Sequence, residues 1–177
     1  MKTTELQKTW ITFLNGIDFD HHITLTYSDP ICGAYPPSPH TAQRHGREFI
    51  SALQREKQRG QISWLQVVEI KEDKPHLHLL TYRTRPFTPN DLETHWKRGF
   101  ATANRLDTDE YRRNAIAYLF KYWNRLDEHQ QLERFDFNHL PKRKRHPSYD
   151  HTQPQDIKIM NTQPLATTTD LAQYFRV

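Results

Sequence analysis

The sequence predicts an α+β domain, and three observations carry that expectation. Short runs alternate apolar and polar side chains as strands do, longer runs space their apolar residues at the helical period of about 3.6, and turn residues separate the two kinds of run. The chain has 177 residues, enough for one real core. We expect that domain over residues 1–140, with a basic and then polar tail over 141–177 that is flexible.

At the start, Leu6, Trp10, Ile11 and Leu14 lie at helical spacing before Asn15-Gly16, a stop signal. Next, Ile23, Leu25 and Tyr27 alternate with His22, Thr24 and Thr26, which reads as a strand with a core face and a polar face. His21 and His22 sit at its beginning and read more readily as solvated than as ligands. Residues 28–39 are rich in Pro and Gly and read as a loop. From His40 to Arg59, Ala42, His45, Phe49, Ile50 and Leu53 mark an amphipathic helix closed by Gly60. Its outer face, with Arg44, Arg47, Arg55, Lys57 and Arg59, reads as a solvated face before it reads as a phosphate contact.

Two alternating runs follow, joined by Lys71 to Lys74 as a hairpin. In the first, Ile62, Trp64, Val68 and Ile70 share one face and Leu65, Val67 and Glu69 the other. In the second, His76 and His78 point to one side and Leu77 and Leu79 to the other. Thr88-Pro89-Asn90-Asp91 opens a short helix that ends at Trp96 to Gly99. Phe100 to Leu106 is a weaker strand, and Asp107-Thr108-Asp109 caps the next helix, expected from Glu110 to about Leu126. There Ile116, Leu119, Phe120 and Trp123 form the core stripe, while Tyr111, Ala115, Tyr118 and Tyr122 form a second one. Lys121 flanks Tyr118 at about 60° around the axis. Beyond residue 126 the chain turns polar and holds the basic run Pro141-Lys142-Arg143-Lys144-Arg145-His146.

Glu69 shares a face with His76 and His78 only if the hairpin register sets it opposite one of them, since a slip of one residue reverses the face. The resulting set of one carboxylate and two imidazoles suits a divalent cation with open positions, Mn or Mg if carboxylate and water dominate and Zn on affinity alone. The charge of +4 is compatible with nucleic acid without demonstrating it. Cys32, the lone cysteine, excludes an intramolecular disulfide and fits a reducing compartment. No apolar run has the length of a membrane span, so we expect a cytoplasmic protein with no membrane partner. The absence of a phosphate-binding Gly-rich loop excludes an encoded ATPase motor.

The ordered set of strand 23–27, Glu69 with His76-Leu77-His78, and Tyr118-Leu119-Phe120-Lys121-Tyr122 resembles the HUH endonuclease superfamily, specifically rolling-circle replication initiators. The resemblance spans residues 21–126. It implies Glu69, His76 and His78 as ligands of Mn2+ or Mg2+, Tyr118 as nucleophile, Lys121 as its cationic neighbour and Tyr122 as a second tyrosine. It also implies a central antiparallel sheet of about five strands with helices on one face, similar to the ferredoxin-like split βαβ, although only four strands are legible. The implied activity is nicking and joining of single-stranded or hairpin DNA through a 5′-phosphotyrosine link, with a helicase supplied by host or element. Transposases and relaxases share these motifs. Two other classes compete: a non-catalytic module that stacks bases on a sheet, and a zinc hydrolase that uses metal-bound water.

Overall fold

A computed structural model describes residues 5–28, 36–55, 61–82, 84, 86–121, 130, 134–138 and 140. Among these, five strands form one sheet: β1 (His21–Thr26), β2 (Ser63–Lys71), β3 (Lys74–Tyr82), β4 (Ala101–Arg105) and β5 (Phe135–Asn138). Four helices accompany them: α1 (Glu5–Leu14), α2 (Pro39–Arg55), α3 (Pro89–His95) and α4 (Asp109–Leu119). The sheet order is β4-β1-β3-β2-β5, with every neighbouring pair antiparallel. Thus β1 and β2, joined through α2, run parallel with β3 between them, and β3 and β4, joined through α3, bracket β1 in the same way. This is the ferredoxin-like α+β arrangement.

The helices occupy both faces rather than one. Ile23, Leu25, Val68, Leu77 and Leu79 point from one face into a core with Phe49, Ile50 and Leu53 of α2 and Leu92 of α3. From the other face Leu65, Val67 and Leu80 meet Trp10 and Leu14 of α1 and Ile116 and Leu119 of α4. The reason is the alternation itself: Leu65, Val67 and Leu80 are apolar on the face that also carries Glu69 and the histidines, so half of that face needs a roof. The uncovered half lies toward the β2–β3 hairpin. That hairpin closes through Glu72 and Asp73, at φ of 51° and 62°, the left-handed pair that a two-residue turn between twisted strands requires.

The fifth strand escaped the sequence reading. Asp136 of β5 accepts from Arg47 at 2.5 Å and from the buried Gln66 Nε2 at 3.0 Å, and Gln66 Nε2 also donates to the Gln43 carbonyl at 3.0 Å. Phe120 stacks toward Phe135 with ring centroids 5.3 Å apart. Arg47 is therefore not part of a merely solvated basic face; it neutralises a buried carboxylate. Gly46 lets α2 come this close, since a Cβ there would overlap Gln66 Oε1 and stand 2.8 Å from Leu77 Cδ2.

Both caps expected from the sequence form. Thr88 and Asp91 make a reciprocal capping box at α3, and the Thr108 side chain accepts from the Tyr111 amide at α4. In contrast, α4 ends at Leu119 instead of running to Leu126. Its last turn tightens through bonds from the Phe120 amide to the Ala117 carbonyl and from the Lys121 amide to the Tyr118 carbonyl, as Phe120 drops into the core. Tyr122, Trp123, Lys57, Arg59, Gly60, Cys32, the basic run at 142–145 and the tail 141–177 lie outside the described residues. No helix among the described residues is long and apolar enough to cross a membrane.

Candidate active site

The register decides which side chains meet. Glu69 stands opposite His76, Val67 opposite His78, and across the other edge of β3 Thr26 pairs with His76 and Thr24 with His78. Of the registers open to the hairpin, this one aligns Glu69 and both histidines on one face. The side chains of His78 and Glu69 are nearly enclosed, 6% and 9% exposed, and His78 Nε2 lies 2.9 Å from Glu69 Oε2. With Nε2–H donating to the carboxylate, Nδ1 is left as acceptor for the Thr24 hydroxyl at 3.3 Å. The hydrogen bond from His78 holds the Glu69 carboxyl below its ordinary range, against the opposing effect of burial.

His76 is half-buried on the same face. Burial lowers its pKa, while the Glu69 carboxylate opposes that shift. No three His, Cys, Asp or Glu side chains among the described residues converge closely enough to form a metal-holding group. The donor chemistry nevertheless suits a divalent ion: one carboxylate and one imidazole already face each other, and a second imidazole stands across the strand pair from the carboxylate.

The last turn of α4 brings Tyr118 over this pair. Its ring is edge-on to His78, with centroids 5.0 Å apart, and its hydroxyl donates to Glu69 Oε2 over a long 3.4 Å. A bond of that length is weak and easily exchanged. Lys121 Nζ lies 5.6 Å from the Tyr118 ring centroid, within the range of a cation–π contact. Tyr118 is 41% exposed, so a ligand can reach it. The structure thus brings Glu69, His78, Tyr118 and Lys121 together from β2, β3 and the end of α4.

Sequence reasoning undervalued His22. Neither it nor His21 is solvated, because alternation sends them to opposite faces and both faces are covered. His21 is buried, with Nδ1 2.9 Å from Thr84 Oγ1. His22 lies on the site face, its ring 5.4 Å from His78 and 6.1 Å from Tyr118, with Nε2 buried and unpartnered. Burial first and the neighbouring His78 second push its pKa down from 6.5 to about 4. The signal available in the sequence was its parity: His22, Thr24 and Thr26 are the polar side of one strand.

Residues 20–127 match a family model described as a replication-associated protein of the ORF2 type. None of the curated proteins compared with the chain matches it. Among solved structures, the crystal structure of the hypothetical protein ORF119 from Sulfolobus islandicus rod-shaped virus 1 is similar, with a TM-score of 0.47 and 14% identity over 68% of this chain and 96% of that one.

Proposed function

Since this chain belongs to the ORF2-type family of replication-associated proteins, we propose that it nicks and rejoins single-stranded DNA through a covalent link to Tyr118, and thereby initiates rolling-circle replication of a plasmid, phage or mobile element. The observation that carries this reading is the hydroxyl of Tyr118, 3.4 Å from Glu69 Oε2 and beside His78, with Lys121 against the same ring. A structural tyrosine at a helix end has no need of a carboxylate, an imidazole and an ammonium around it.

On this reading the Tyr118 oxygen attacks the scissile phosphorus, the bond to the 3′-oxygen breaks, and that oxygen leaves as a hydroxyl once protonated. A tyrosine phenol ordinarily ionises near pH 10, so its proton must be drawn off. Glu69 accepts that proton's hydrogen bond, and the Lys121 ammonium favours the phenolate. Glu69, His76 and His78 are the residues that would hold Mn2+ or Mg2+. Such an ion supplies Lewis-acid withdrawal of charge from the phosphate. The phosphotyrosine link retains the energy of the phosphodiester, so a returning 3′-hydroxyl can reverse the step and rejoin the strand. Tyr122 is the candidate for a second cleavage.

The experiment is incubation of the protein with labelled single-stranded DNA and Mn2+, followed by denaturing electrophoresis. We expect a covalent protein–DNA band that Tyr118→Phe abolishes. Cleavage with no such band supports the metal-water hydrolase instead, and binding without cleavage the stacking module.

A further inference from the structure

Phe100 is 75% exposed, well beyond Tyr111 and Tyr118, the other exposed large apolar residues described. Its backbone is nonetheless tightly held. The Phe100 amide donates to the Thr26 carbonyl at 3.1 Å, the Thr26 amide donates back at 2.8 Å, and the Ser28 amide reaches the Arg98 carbonyl at 2.9 Å. Gly99 makes this docking possible, since a Cβ there would overlap the Thr26 carbonyl oxygen, a backbone atom that cannot yield. Trp96 Nε1 donates to the same oxygen at 2.9 Å.

The parity of the strand fixes where the ring stands. Ala101 and Ala103 pack into the core on the α2 side, and Thr102 pairs with Thr24 on the opposite face. Phe100 therefore belongs to the face that carries the site. Its partner Thr26 is opposite His76, and His76 is opposite Glu69. Phe100, Thr26, His76 and Glu69 form one row across four strands. Neighbouring strands are about 4.8 Å apart, which sets Phe100 about 10 Å from His76 at the backbone, the reach of an adjacent nucleotide.

We propose that Phe100 is a stacking platform for an unpaired nucleobase of single-stranded DNA crossing the open half of this sheet face. The inference rests on the nicking reading for which base is held, the one flanking the reacting phosphate. A lone ring among threonines is too small for a protein interface, which needs about 800 Å² per partner. One planar ring on a fixed backbone is enough for one base, and it loses little freedom on stacking. Because stacking is indifferent to base identity, this contact supplies affinity for unpaired strand without sequence preference.

The test is fluorescence anisotropy with labelled oligothymidylate and a labelled duplex of the same length, in chelator so that binding is separated from chemistry. Wild type should prefer the single strand. Phe100→Ala should weaken that binding by about 5- to 150-fold, the range that loss of one stacked base gives. Phe100→Trp should restore it and Phe100→Leu should not. The ratio between wild type and Phe100→Ala should hold across salt concentrations, because a stacked base releases no counterions. Equal affinity for Phe100→Ala and wild type, rescue by leucine, or no preference of wild type for single strand would each overturn the proposal. Unchanged thermal unfolding of Phe100→Ala shows that a loss is local. Covalent adduct formation by wild type in Mn2+ is scored separately. If the adduct is missing while the Phe100 effects hold, nicking falls and stacking stands; the reverse pattern removes stacking alone.

Discussion

His22 shows how a single side chain ties folding to the site. Unfolded, it would titrate near 6.5, and in the fold burial and His78 lower that to about 4. Between those values the unfolded chain holds the extra proton, so stability falls as pH falls through the window. From pH 7 to pH 5, His22 should cost about 2 kcal/mol; His76, lowered by burial, acts in the same direction. Glu69, whose folded pKa is depressed, contributes above its ordinary value of 4.5 and loses that contribution only at lower pH. Urea unfolding in chelator at the two pH values checks this. His22→Gln should flatten the slope, and an unchanged slope would show that His22 is not buried neutral. The ligand set yields a second prediction. Calorimetric Mn2+ binding should be lost when His76→Ala and His78→Ala are combined, and undiminished binding would remove Glu69, His76 and His78 as ligands. It should also weaken as pH falls, because a proton competes for the imidazoles.

Among the elements, the hairpin carries its own strain. Glu72 and Asp73 both occupy left-handed backbone, which costs non-glycine residues of this kind about 1–2 kcal/mol each in general. Replacing them by Glu72→Asn with Asp73→Gly, the residues that such turns favour, should raise stability by about 1 kcal/mol and the Tm by about 2–4 °C. No gain in a thermal melt would mean that the register is held by the strands alone. The same hairpin explains much of what could be read in advance. Alternation in Leu65, Val67 and Glu69 against His76 and His78 assigned the faces, and the turn at 71–74 left few registers. The elements that misled did so for physical reasons. The four residues of β5 are held by Asp136, through Arg47 and Gln66, and no local pattern announces a partner so distant along the chain. The end of α4 was hidden too, because Phe120 and Trp123 continue the helical spacing while Phe120 in fact packs on Phe135.

At the scale of the whole molecule, one sheet face is divided between structure and chemistry. Its apolar half is roofed by α1 and α4, and its polar half presents Glu69, His76, His78 and Phe100 beside the end of α4. Single-stranded DNA on this half would meet a ligand set, a tyrosine and a ring in succession. The basic run Lys142-Arg143-Lys144-Arg145 should add affinity that does not depend on sequence. Changing all four to alanine should lower the slope of log affinity against log salt by up to about 3, at roughly 0.7 per cation on single strands; an unchanged slope would show that the run does not touch DNA. The most direct test of the central claim is to locate the bond. Wild-type protein is trapped on single-stranded DNA with Mn2+, digested with protease and nuclease, and the modified peptide sequenced by mass spectrometry. The account predicts a nucleotide on Tyr118, with Tyr122→Phe still forming it. An adduct on Tyr122 alone, or cleaved DNA with no modified tyrosine, would contradict it.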